Sequence, residues 1–177
     1  MTKEILSKAQ YNELPDLQEI YNQATVYART VGHIDWPFPM PKYILENFYM
    51  KKEMYCIRGL VIGIDPDYAE EPVAAIRLST EPNPQIWQDD IRALYIGKMA
   101  VGRDARNLDV ATKVIFPAVH EMAEQRDLSE VRLDCLADNE RLKAFYRRHF
   151  AELGNVIIKN INGEELSLTR FSRPVTS

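Results

Sequence analysis

Residues 93–137, ALYIGKMAVGRDARNLDVATKVIFPAVHEMAEQRDLSEVRLDCLA, decide the fold of this chain. The run 93–101 is apolar and of strand length. After the polar loop GRDARNLD, Val110, Val114, Ala118 and Met122 recur at intervals of four, which predicts an amphipathic helix. Pro117 lies inside it and removes a backbone donor, so a local irregularity is expected there. Residues 130–137 read as another strand. A strand, a crossover helix and a strand demand parallel pairing through a right-handed connection.

Upstream, residues 3–8 suit a short strand. From Pro15, the spacing of Leu17, Ile20, Tyr21, Ala24 and Tyr27 predicts a helix that Gly32 closes. The proline-rich loop HIDWPFPMP follows, then a helix over 42–52 and strands over 54–64 and 72–80. Downstream, 139–149 carries Leu142, Phe145 and Tyr146 on one helical face. Strands over 153–161 and 164–172 meet at Asn162-Gly163, a hairpin signal. The order β-α-α-β-β-β-α-β-α-β-β defines an α/β (α+β) chain. Its sheet is mixed and mostly antiparallel around a parallel β-α-β core, with helices on both faces. The 177 residues fit one domain, 1–177.

A formal net charge of -4 argues against nucleic acid, whose binding requires many cations against phosphates. Cys56 and Cys135 lie in apolar alternating runs and read as small core residues of a reducing compartment. His33, His120 and His149 share no metal-ligand spacing, so no metal is expected. The polar start MTKEILSKAQ and the lack of a long apolar run predict a cytoplasmic protein without a membrane span.

Chemistry concentrates where the strand ending at Val101 gives way to the helix starting near Val110. A helix start offers unpaired N–H groups and partial positive charge, an anion site to which Arg103 and Arg106 add cations. MAVGRDARNLDVATKVI resembles the coenzyme-binding motif of the GNAT family of N-acetyltransferases: a valine-ended strand, then Arg/Gln-x-x-Gly-x-Gly/Ala opening a helix. On that match Arg106 leads, Asp109 replaces the glycine and Ala111 is the final small residue. LDCLADNERLKAFYRRHF is similar to the family's next strand–helix unit, with Asn139, Ala144, Phe145, Tyr146 and Phe150 at matching positions. His149 stands where the family usually has glycine.

The resemblance implies an acyl-CoA N-acyltransferase fold that takes acetyl-CoA as donor. It also implies coenzyme contacts from Met99, Ala100 and Val101, from Arg106, Asn107, Leu108, Asp109, Val110, Ala111 and Thr112, and from Asn139. A backbone amide within Met99–Val101 is expected to polarise the thioester carbonyl, and Tyr146 to protonate the leaving sulfur. Asp109 either turns outward while the amides bind, or weakens the coenzyme site. Some relatives carry a glutamate base on the strand ending at Val101. Here that role is open between Tyr95, organising a water, and the loop residues His33 and Asp35. Trp36, with His33 and Asp35, is expected to contact the acceptor, a small-molecule or peptide amine. A second copy of the chain is a further candidate partner, since the last strands can exchange. The alternative is a catalytically silent coenzyme-binding domain of the same fold.

Overall fold

The computed structural model describes residues 5–31, 36–59, 63, 70–160 and 162–175. The elements are β1 (Ser7–Lys8), α1 (Leu14–Thr30), α2 (Lys42–Met50), β2 (Met54–Arg58), β3 (Pro72–Ser79) and β4 (Ala93–Val101). Then come α3 (Phe116–Gln125), β5 (Glu130–Leu136), α4 (Glu140–Tyr146), β6 (Ala151–Lys159) and β7 (Glu165–Pro174). They form the expected mixed α/β fold, whose described strands make a seven-stranded sheet in the order β1-β2-β3-β4-β5-β7-β6. The expected parallel pair is present, with Ala93–Ile96 of β4 against Glu130–Leu133 of β5. β1 with β2, β2 with β3, β5 with β7 and β6 with β7 are antiparallel.

The residues gather in two compact units, one up to Leu78 with Lys98–Val119, the other Ser79–Gly97 with His120 onward. In the first, α1 buries Leu17, Ile20 and Tyr21 of the expected stripe together with Leu14, whereas Ala24 is half-buried and Tyr27 is exposed near the end of the helix. Leu45 and Phe48 of α2, Met54 and Cys56 of β2, Ala75 and Ala100 complete that core. Glu13 sits at the entry to α1, accepting from the Gln10 N–H at 2.6 Å and pairing with Arg58. Cys56 and Cys135 are free and buried, and burial pushes the Cys56 thiol above its ordinary value.

In the second unit, Ile86 and Trp87 pack with Ala93, Tyr95 and Leu168. Its last two strands close through Asn160, whose N–H donates to Glu164 O at 2.9 Å while Gly163 N–H donates to Asn160 O at 3.0 Å. Gly163 takes φ 79°, a region open to glycine at little cost.

Several boundaries differ from the sequence expectation. α2 stops at Met50, and Lys52 beyond it has φ 59°. β2 stops at Arg58 after a register shift at Ile57/Arg58. The expected strand beyond it, over 60–62 and at 64, lies outside the described residues. α4 ends at Tyr146, where the N–H groups of His149 and Phe150 both turn back to its carbonyl. Around Pro117 the irregularity is a π segment, Ala111–Ile115, in which Phe116 N–H reaches back five residues to Ala111 O. A wider turn placed before the proline accommodates a position that has no N–H to give.

Candidate active site

The parallel ladder ends at Ile96 and Leu133, so Gly97 to Val101 of β4 extend beyond it. Gly102 follows, its N–H donating to Val73 O at 2.8 Å. A Cβ at Gly102 would stand 3.1 Å from that carbonyl oxygen, so a side chain would force β3 and the loop apart. The expected polar loop is a 3-10 helix, Arg103–Leu108. α1 holds it in place: the Gln23 side chain accepts from Arg103 N–H at 2.9 Å. The Arg106 guanidinium lies 4.3 Å from the Tyr27 ring centroid and 3.4 Å from Gln23 O.

Asp109 ends this turn in the left-handed region, φ 54° and ψ 37°. That backbone shape explains why a glycine suits this motif position: most side chains clash there, whereas a short polar one is tolerated. The Asp109 side chain is exposed, as are Asn107 and Leu108, while Val110 is buried and Ala111 and Thr112 are half-buried. Among the described residues no side chain caps the helix start at Val110. The Lys113 N–H bonds to Asp109 O at 3.0 Å. The backbone amides of Val110 and Ala111 belong to the first turn, where intrahelical acceptors are lacking.

β4 also meets the loop after α1. Tyr21 Oη donates to Lys98 O at 2.8 Å. The Tyr21 ring meets Trp36 edge-on at 5.3 Å, and Lys98 Nζ stands 5.2 Å from the Trp36 ring centroid. Burial pushes the Tyr21 phenol far above its ordinary value, so it stays a donor. Trp36 is thus held at β4, whereas His33 and Asp35 lie outside the described residues. The same unit contains a cavity of about 480 Å³ whose lining includes Asp16, Glu19, Glu71, Asp104, Arg103 and Gly102.

Tyr95 lies within the parallel ladder, opposite Arg132, with 8 % of its surface exposed. Its ring packs 5.7 Å from that of Trp87, and its hydroxyl is buried without a hydrogen-bond partner among the described residues. Burial raises the phenol's pKa; the nearby Arg132 charge acts in the opposite direction and is the smaller effect. Arg132 is 2 % exposed and donates at 2.7 Å to both Asp89 and Glu130 beside the Trp87 ring. Burial works against its charge, but the two carboxylates hold it above the ordinary arginine value. The sequence reading missed this arginine, because alternation in 130–137 marks it as an outward position.

Tyr146, the last residue of α4, is 7 % exposed. Its ring lies 5.6 Å from Phe145, 6.4 Å from Phe150 and 5.5 Å from Phe171. Asn139 is buried and caps α4, accepting from Leu142 N–H at 3.0 Å. Lys143 of α4 pairs with Glu140, and Arg147, just past the helix end, with Glu140 and Glu152. The ties of Tyr21 to Lys98 and of Gln23 to Arg103 were also missed, since sequence spacing carries no sign of contacts between residues about 80 apart.

A mixed seven-stranded sheet with one parallel pair, and a 3-10 turn after β4 that opens a helix, make this an α/β protein. The acetyltransferase (GNAT) family model matches residues 14–150, and the chain belongs to that family. The chain is therefore an N-acetyltransferase. Among solved structures, a GNAT-family acetyltransferase from Listeria monocytogenes 4b F2365 superposes with a TM-score of 0.70 at 15% identity, covering 96% of this chain and 93% of that one. A putative phosphinothricin N-acetyltransferase gives a TM-score of 0.64 at 16% identity, with 97% and 98% covered. A ribosomal-protein-alanine N-acetyltransferase from Brucella melitensis gives 0.64 at 15%, with 96% and 98% covered. No curated protein sequence matches the chain significantly. No helix among the described residues is long and apolar enough to cross a membrane, and no metal-holding cluster occurs among them.

Proposed function

We propose that this chain transfers an acetyl group from acetyl-CoA to a primary amine of a small molecule or peptide, by direct attack of the amine. The observation that carries this reading is Asp109 in the left-handed region immediately before a helix, at the motif position where glycine is expected. That turn leaves the amides of Val110, Ala111 and Thr112 at a helix start, with the exposed Asn107 and Leu108 on its approach. Such amides suit a diphosphate. The family model crosses both compact units, which supports treating 1–177 as one acetyltransferase domain.

The bound donor supplies a thioester carbonyl for attack and a thiolate to be released. Met99, Ala100 and Val101 extend beyond the parallel ladder, which supports one of their amides as donor to that carbonyl oxygen. Tyr146 is the proposed proton donor to the departing sulfur. Asn139 supports this arrangement by capping the helix that carries Tyr146. The amine must arrive neutral. Tyr95 is sealed beneath Trp87, so its part is to donate to an ordered water rather than to take the proton itself. His33 and Asp35 remain the proposed relay to solvent, and Trp36 the proposed acceptor wall.

The second reading is a silent coenzyme-binding domain, favoured by the burial of Tyr146 among three phenylalanines. Thiol release with a broad panel of amines, beside calorimetric titration of acetyl-CoA, separates the two. Turnover supports the transferase. Tight binding without turnover supports the silent domain, and neither binding nor turnover contradicts both.

A further inference from the structure

The turn that leads to the proposed diphosphate site is constrained at its first residue. Gly102 opens the 3-10 helix Arg103–Leu108. A Cβ there would meet Val73 O at 3.1 Å, so the position is closed to larger residues unless β3 moves. Glycine has no side chain with which to cap, and the first N–H groups of a helix lack acceptors within it. Gln23 of α1 supplies the acceptor from outside: its Oε1 takes the Arg103 N–H at 2.9 Å. The carbonyl of the same residue lies 3.4 Å from an Arg106 nitrogen, and the guanidinium rests 4.3 Å from the ring centroid of Tyr27, one turn further along α1.

Gln23 is itself aimed. Its Nε2 donates to Glu19 Oε1 at 3.1 Å, one turn back, which leaves Oε1 for Arg103. The helix beneath is also fixed. Gln18 Nε2 donates to Met40 O at 2.6 Å, Asn22 Oδ1 accepts from Met40 N–H at 2.8 Å, and Tyr21 Oη donates to Lys98 O at 2.8 Å. A 3-10 run longer than about three or four residues is uncommon on its own, so this one depends on α1 for its shape. A donor that binds only the ordered turn has its affinity reduced by the fraction of molecules in which the turn is ordered.

We infer that Gln23 is a positioning residue of the donor site. It holds the turn between Gly102 and Asp109 so that the amides of the helix start meet the diphosphate of acetyl-CoA, and Arg106 belongs to the same clamp. This rests on the transferase reading above. Gln23 acts through the turn, so its loss affects the diphosphate-bearing donor and neither the amine nor the chemical step.

The test measures acetyl-CoA binding by calorimetry, with kcat and KM for both substrates, in Gln23→Met, which keeps the side chain's length and removes its acceptor. Kd and KM for acetyl-CoA should rise at least about fivefold, as for one lost hydrogen bond. The kcat at saturating donor and KM for the amine should stay within about twofold. Acetyl-pantetheine, which lacks the diphosphate, should bind wild type and variant equally. The exchanged pair Glu19→Gln/Gln23→Glu restores an acceptor for Arg103 N–H, and a bond between the two side chains, at unchanged net charge. It should return acetyl-CoA affinity to within about twofold of wild type. Gln23→Asn, too short to span the gap, should match Gln23→Met and replaces it if that variant does not fold. Unchanged acetyl-CoA affinity in Gln23→Met overturns the inference and leaves the transferase reading standing. So does a loss shared by acetyl-pantetheine, or one that the exchanged pair fails to restore. A wild type that does not bind acetyl-CoA overturns both.

Discussion

Tyr21 in α1 donates its hydroxyl to the carbonyl of Lys98 in β4 at 2.8 Å, beyond the point where the parallel ladder has ended. This bond ties a helix to the part of the strand on which the proposed chemistry depends. A buried hydrogen bond of this kind contributes about 1 kcal/mol, and its loss leaves an acceptor to be satisfied elsewhere.

Tyr21→Phe is therefore expected to lower unfolding stability by about 1–2 kcal/mol in urea titration. Alkaline behaviour supplies a second signature. Burial raises the folded-state pKa of Tyr21 above the ordinary 10.0. Above that pH the unfolded chain releases a proton that the folded chain keeps, so Tyr21 contributes stability that declines as pH rises further. Tyr21→Phe should show a shallower alkaline loss of Tm than wild type. Identical alkaline slopes would rule out this linkage.

Asp109→Gly places at φ 54° the residue that accepts such a backbone most freely. Coenzyme affinity should hold or tighten, with stability changing by less than about 1 kcal/mol. Asp109→Val, branched at Cβ, should cost about 1–3 kcal/mol and weaken the coenzyme. Calorimetry of the two variants checks both statements, and a clear loss of affinity in Asp109→Gly would show that the carboxylate itself is needed.

Tyr146→Phe removes only the phenol oxygen from a packed ring. Turnover should fall at least about tenfold while coenzyme affinity stays within about twofold, because the interaction is made only as the sulfur departs. An unchanged rate would assign Tyr146 to packing alone.

Arg132→Ala should cost about 3 kcal/mol, since it removes both the Trp87 contact and the link between Asp89 and Glu130. Asp89→Asn should cost about 1 kcal/mol or less, because its side chain is half-exposed. Pairing with Arg132 lowers the folded-state pKa of Asp89. Its contribution is therefore present above the ordinary carboxylate pKa and fades as pH falls through the lowered value. Wild type should lose more stability than Asp89→Asn below about pH 4. Equal acid losses would contradict the pairing.

The elements legible in the sequence are those whose apolar period is enforced by burial. The stripe Leu17, Ile20, Tyr21 became α1 because each residue enters one core. The Asn162-Gly163 turn became a hairpin because its backbone shape demands such residues. Pro117 announced an irregularity that became the π segment, but the 3-10 segment before Asp109 escaped, since one turn of it keeps nearly the same apolar spacing as an α-helix. Arg132 escaped because its burial depends on Trp87 and Asp89, which come from another part of the chain. At the site, the motif marked Asp109 and Tyr146, but Gln23 needed the folded contact with Arg103 to stand out.

Amide NMR of the 15N-labelled protein, titrated with acetyl-CoA, measures the central claim at the atoms concerned. The account predicts that the N–H resonances of Val110, Ala111 and Thr112 shift most as the diphosphate engages the helix start. It also predicts that shortened donors lacking the diphosphate leave these resonances in place. Saturable binding that leaves all three amides unmoved would contradict it.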